Sequence, residues 1–309
     1  MNTTNHDLAG YCPENPNYIQ IRARMNRLIN RYLSIDILSH RLSDLPTQFT
    51  QPHPRAWEPI DWQAISRDQI IGVEPELFIM LVAGATEIEA PIRAYSQESW
   101  NYLKSIHPQM AYFMGGEQNP DGSILALGVW EKEERQHAPT FSKIYRQLTG
   151  EKLQSKPNTV GGYQPSDSAI QDVYRHTLSR ISTEWGATSI YLWLMAHSTG
   201  ALQQALAQPL QDEVNHLAKF WGFCRWAFDG TYLKQLQGSA KNLLGLMNHH
   251  QGERTHGDNI LSLATTVDAV ELAFMFSRVM VRLHAWNREL SHSFLTHLFE
   301  SQPKLMLGT

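Results

Sequence analysis

The feature that most constrains this 309-residue chain is a pair of Glu-x-x-His sequences, Glu134/His137 and Glu213/His216, each set into an apolar helical stripe. On a helix, residues i and i+3 project to the same side, so each pair presents a carboxylate and an imidazole in one direction. At about 100° per residue, the Glu134 face also carries Leu127, Trp130, Ala138, Phe141, Tyr145 and Leu148. The Glu213 face carries Leu202, Leu206, Leu217, Phe220 and Cys224. Two further pairs of the same spacing lack such a setting. Glu253/His256 sits in a polar run between glycines and reads as a loop, while Glu289/His292 lies opposite Leu283, Trp286, Leu290 and Phe294 and reads as a solvated pair.

A buried Glu-His pair can be a plain hydrogen bond, and what argues further is that each pair follows an apolar helix bearing another Glu. Glu184 shares a face with Ile170, Val173, Ile181, Ala187, Thr188, Tyr191 and Met195. On the earlier helix two candidates point opposite ways: Glu87 with Met80, Ala83, Ala90 and Ala94, and Glu89 with Phe78, Val82, Ile92 and Trp100. Periodicity does not choose between them. Several unpaired carboxylates in one core would each cost several kcal/mol, which a cation removes. Two lone Glu plus two Glu-x-x-His pairs is the donor set of carboxylate-bridged di-iron four-helix bundles. Hard carboxylates with one imidazole per ion suit two Fe(II) ions, with Mn(II) as the alternative.

Composition narrows the class. With 42% hydrophobic residues the chain can bury one large core or two modest ones. A net charge of -4 gives no sign of nucleic-acid binding, and two cysteines supply neither a disulfide framework nor a sulfur-based metal site. The apolar runs 77–85 and 189–196 fall short of the ~20 residues that span a bilayer, and the polar first residues lack a signal-peptide core. The expectation is a cytoplasmic protein with no membrane insertion, or a stromal one if the source has plastids.

Along the chain, hydrophobic spacing predicts an all-α, ferritin-like four-helix core over about 68–228 in a single domain, with accessory helices at both ends. Residues 17–42 read as one helix with arginines at 22, 24, 27 and 31 on a basic face, or as a docking surface for an acidic partner. A proline-rich crossing at 43–62 leads to a helix over 68–102, kinked at Pro91. Residues 107–122 read as a loop, with Ser123 capping a helix that runs to about 148 and bends at Pro139. Helices follow at 167–196, 200–228 (containing Pro209), 232–247 and 259–299. The histidines at 249, 250 and 256 read as a solvated loop rather than a metal site.

Taken together, these stretches resemble the soluble acyl-acyl-carrier-protein desaturases. The run from Thr86 through Glu87 and Glu89 to Pro91 looks like that family's Thr-Glu-Glu-Ala-Leu-Pro, whose ligand lies four residues before the proline; that offset selects Glu87. Trp130 to His137 is similar to Trp-x-x-Glu-Glu-Asn-Arg-His, and Asp212 to His216 to Asp-Glu-Lys-Arg-His. Trp57-x-Pro-x-Asp61 looks like the family's Trp-Gln-Pro-Gln-Asp. The resemblance covers about residues 20–225. It implies Glu134 and Glu213 as bridging ligands, Glu87 and His137 completing one iron site, and Glu184 and His216 the other. It further implies Trp57 and Asp212 on an electron path from a ferredoxin, a saturated chain on acyl carrier protein as substrate, and a homodimer. One departure stands out: the family has a threonine three residues after the third-helix Glu, near the oxygen side, whereas here Ala187 holds that offset and Thr188 follows.

Desaturating an unactivated methylene needs an oxidant that no side chain supplies, so the chemistry would belong to the metals, O2 and two external electrons. The chain's share would be an apolar tunnel holding one C-C bond in place, with Tyr191, Trp193, Met195 and Phe220 as candidate lining or plain core. The same ligands would serve a di-iron hydroxylase or N-oxygenase, or a ferritin-like iron-oxidising protein.

Overall fold

The computed structural model describes residues 16–119, 123–154, 162–228 and 264–300. The fold is all-α, with 73% of the described residues in helix and 3% in strand. The helices are α1 (Tyr18–Tyr32), α2 (Ile35–Ser43), α3 (Leu45–Thr50), α4 (Pro75–Glu89), α5 (Ile92–Leu103), α6 (Pro108–Gly115), α7 (Val129–Glu134), α8 (His137–Thr149), α9 (Ala169–Ala196), α10 (Gly200–Ala227), α11 (Ala264–Asn287) and α12 (His292–Glu300). A two-stranded hairpin, β1 (Glu117–Gln118) and β2 (Ile124–Ala126), follows α6. Among the described residues, no helix is long and apolar enough to cross a membrane.

Prolines and caps explain where helices break. Ser34 accepts the Ile37 N–H and starts α2, dividing the expected first helix. Pro91 has no N–H for the Glu87 carbonyl and its ring crowds that carbonyl, so α4 stops at Glu89 and α5 begins at Ile92. Pro139 stands in the same relation to Arg135, and the chain turns at Arg135 and Gln136 before restarting as α8, where the proline lies in the tolerant first turn. Pro209, by contrast, sits inside a continuous α10.

Several expectations need correcting. The crossing expected over 43–62 contains the helix α3. The helix expected from residue 68 begins at Pro75, after a 3-10 turn at Arg67–Gln69. The stretch read as a loop over 107–122 contains α6, because His107 Nδ1 accepts the Met110 N–H and Met110, Phe113 and Met114 bury one face. Ser123 therefore precedes a strand and caps no helix; α7 starts after Gly128. Gly116 makes the hairpin possible, since at φ +75° a Cβ there would lie 1.9 Å from the Ala126 carbonyl oxygen.

The two long helices, α9 and α10, pack along each other. Alongside them α4 lies against α8, and α5 and α4 against α9. Around this α1 packs on α9, α2 on α10, α11 on α9, α2 and α1, and α12 on α10 and α3. Arg24 is fully buried, not part of an exposed basic face, and donates to the carbonyls of Ala196 and Ser198 (2.9 and 2.8 Å), tying α1 to the end of α9. The helix expected at 232–247 and the histidines at 249, 250 and 256 lie outside the described residues. Glu289, between α11 and α12, and His292, the first residue of α12, are exposed.

Candidate metal centre

Five helix segments deliver acidic and imidazole side chains to one buried point. Glu89 comes from the last turn of α4, Glu134 from the end of α7, His137 from the start of α8, Glu184 from the middle of α9, and Glu213 with His216 from α10. All six are at most 6% exposed. They form two donor groups, Glu89/Glu134/His137/Glu213 and Glu134/Glu184/Glu213/His216, each with one ligand atom per residue and all of those atoms within 4.8 Å of one another. Glu134 and Glu213 belong to both. The α7–α8 break does not spoil the Glu134/His137 pair, whose Oε2 and Nδ1 lie 3.1 Å apart.

The structure departs from the expected ligand set in one place: Glu89 stands where Glu87 was expected. Glu87 is only partly buried and belongs to neither group. The buried stripe of α4 runs Phe78, Val82, Ala85, Thr86, Glu89 at helical spacing, and Glu87 is rotated off it. The larger apolar side chains lie on the Glu89 face, whereas Glu87 rests only on the family's offset from Pro91.

Each imidazole is oriented from behind. His137 turns Nδ1 into the cluster, 3.0 Å from Glu213 Oε1, and Nε2 outward to Asp212 Oδ2 at 3.3 Å. His216 turns Nδ1 to Glu134 Oε1 (2.7 Å) and Nε2 to Glu133 Oε2 (2.7 Å). A carboxylate behind the outer ring nitrogen fixes the tautomer and ring angle of a ligating histidine. Asp212 is held in turn by the Trp57 indole N–H (2.7 Å) and Arg55 Nε (2.6 Å), while Glu133 accepts the Arg55 backbone N–H (2.7 Å). Trp57 also stacks on His137, ring centroids 6.0 Å apart. Both residues named for the electron path thus touch His137. Glu133 and Arg55 went unrecognised in sequence, although the Glu133-Glu134 doublet was visible.

The electrostatics ask for a cation. Burial, then the charges of Glu134 and Glu184, push the Glu213 carboxyl well above its ordinary range. Burial opposes charge on His137, but Glu134, Asp212 and Glu213 outweigh it and raise the ring well above the usual histidine value. Burial likewise opposes His216, and Glu133, Glu134 and Glu184 raise it. Even so, His137 Nδ1, His216 Nδ1, Glu134 Oε1 and Glu213 Oε1 are buried without a properly directed hydrogen bond despite separations near 3 Å. Lone pairs that converge on a common point without bonding one another fit metal coordination, and two shared carboxylates fit a pair of ions.

Of the two residues that the resemblance would put near the oxygen side, Ala187 is half-buried, while Thr188 is fully buried one turn beyond Glu184 on the same face, its hydroxyl without a partner. Trp193 packs on His197 and Phe220 on Trp130, both as core. Tyr191 donates to Glu89 Oε1 at 2.5 Å. Comparison of the chain with protein-family models, curated sequences and solved structures finds no match.

Proposed function

We propose that this protein is an O2-dependent dinuclear-iron oxidoreductase that introduces a double bond into an acyl chain carried on acyl carrier protein. The observation that carries the reading is the pair of buried donor groups sharing Glu134 and Glu213. The bound ions would supply the oxidising power that amino-acid side chains lack. Glu89 with His137, and Glu184 with His216, would each hold one ion, and Glu134 and Glu213 both. Asp212 and Glu133 keep the two imidazoles aimed inward, and the near-complete burial of all six donors excludes water from the reacting atoms. Trp57, Asp212 and His137 form a continuous contact from the segment ahead of α4 to the cluster, which suits delivery of electrons from a ferredoxin-type donor. The resemblance of the ligand motifs supports the acyl substrate and a homodimeric assembly.

A second reading, hydroxylation or N-oxygenation of another substrate, draws on Thr188 standing one residue beyond the family's threonine position. Anaerobic Fe(II) loading followed by O2, a reductant and a panel of acyl-carrier-protein thioesters separates the readings by product mass. Desaturation removes two hydrogens, and hydroxylation adds one oxygen. Unchanged thioesters with accumulating ferric mineral would replace both with iron oxidation.

A further inference from the structure

We propose that Tyr191 is a positioning residue that fixes Glu89 as a one-oxygen ligand and so makes the Glu89/His137 ion position the tighter of the two. The inference rests on the dinuclear centre, not on the choice of substrate. Tyr191 lies on α9, 1% exposed, its ring packed on Phe141 with centroids 4.8 Å apart. Its hydroxyl donates to Glu89 Oε1 at 2.5 Å. That bond occupies one carboxylate oxygen and leaves Oε2, 3.9 Å from His137 Nδ1, to face the cluster.

The opposite half is built differently. Glu184 Oε2 lies 3.5 Å from His216 Nδ1, and among the described residues that imidazole is the hydrogen-bonding side chain that meets it, with no counterpart of the Tyr191 phenol. Thr188, one turn along, also keeps an unpartnered hydroxyl. Glu184 is therefore free to use one oxygen or both, and must give up that freedom on binding. Glu89 has already given it up. A ligand ordered before the ion arrives binds it more tightly, and hydrogen bonds to ligands shift metal affinity by about 10–100-fold. Near-symmetric donor sets thus become an ordered pair: a fixed position filled first and an adaptable one filled second.

The test is titration of the metal-free full-length protein with Co(II) under anaerobic conditions, read by calorimetry and by the visible absorption of each bound ion. Wild type should fill in two resolved steps. Y191F, which removes the hydroxyl and keeps the ring, should weaken the tighter step by about tenfold or more and leave the weaker one in place. E89Q should abolish the tighter step and E184Q the weaker, which settles the order even if Y191F folds poorly. Two ions entering wild type in one unresolved step, Y191F changing neither constant or both alike, or E184Q removing the tighter step would each overturn the proposal. Absence of Co(II) binding in wild type would instead overturn the dinuclear reading beneath it.

Discussion

Replacing Glu133 with glutamine tests whether the second layer of carboxylates tunes the centre. Glu133 touches neither donor group's focus, yet its two oxygens accept from His216 Nε2 and from the Arg55 backbone N–H, both at 2.7 Å, and it is 1% exposed. Glutamine keeps one acceptor oxygen and turns an NH2 toward the other donor, so one contact is lost whichever way the amide points. Losing such a partner costs about 10–100-fold in metal affinity, or roughly 1.4–2.7 kcal/mol. Leaving a buried donor unmatched costs a further ~1–3 kcal/mol of fold stability. The assay is anaerobic competition for Fe(II) against a calibrated chelator, alongside thermal unfolding of the metal-free protein. E76Q is the control, because the Arg67–Glu76 pair is exposed and should alter neither quantity. An E133Q affinity matching wild type would refute the claim that Glu133 orients His216.

Other consequences follow from the same geometry. W57F should leave metal binding intact while slowing reduction of the loaded protein in stopped-flow, since the Asp212 hydrogen bond is lost but the stack on His137 is kept; an unchanged rate would remove Trp57 from the electron path. Metal loading at pH 7 should release protons into weakly buffered solution, because His137, His216 and Glu213 all have raised pKa values in the metal-free protein; a pH-stat recording none would contradict this. His176 is held well below the usual histidine pKa by burial and then by Arg180, so the unfolded chain binds more protons than the folded one below about pH 6.5. Wild type should accordingly lose up to about 1.4 kcal/mol per pH unit below that point relative to H176F, and parallel stability curves would rule it out.

How far the site could be read from sequence depended on the kind of signal. The Glu-x-x-His pairs were legible because a charged side chain in an apolar stripe stands out whatever surrounds it, and Glu184 and Glu213 share that property. Glu89 was less so: two acidic residues two apart on an almost wholly apolar helix project to opposite faces, and only packing against α8 and α9 decides between them. The break between α7 and α8 follows from Pro139 acting four residues back, an effect seen in sequence as a bend. The helix at 108–115 was masked by the His-Pro before it and the Asn-Pro-Asp-Gly after it, although Met110, Phe113 and Met114 already had helical spacing. Arg24 illustrates the opposite error, since an arginine at helical spacing among other arginines reads as solvated until the end of α9 brings two carbonyls to it. Glu133 carried no sign of its role because Arg55 and His216 lie about 80 residues away in the chain, and Tyr191, legible on the Glu184 face, gave no sign of its bond to Glu89 about 100 residues away.

The most direct measurement of the central claim is anomalous diffraction at the iron edge from crystals of the full-length protein grown anaerobically with Fe(II). The account predicts two peaks, one between Glu89 and His137 and the other between Glu184 and His216, both in contact with Glu134 and Glu213. A single peak, or none within reach of those six side chains, would contradict it.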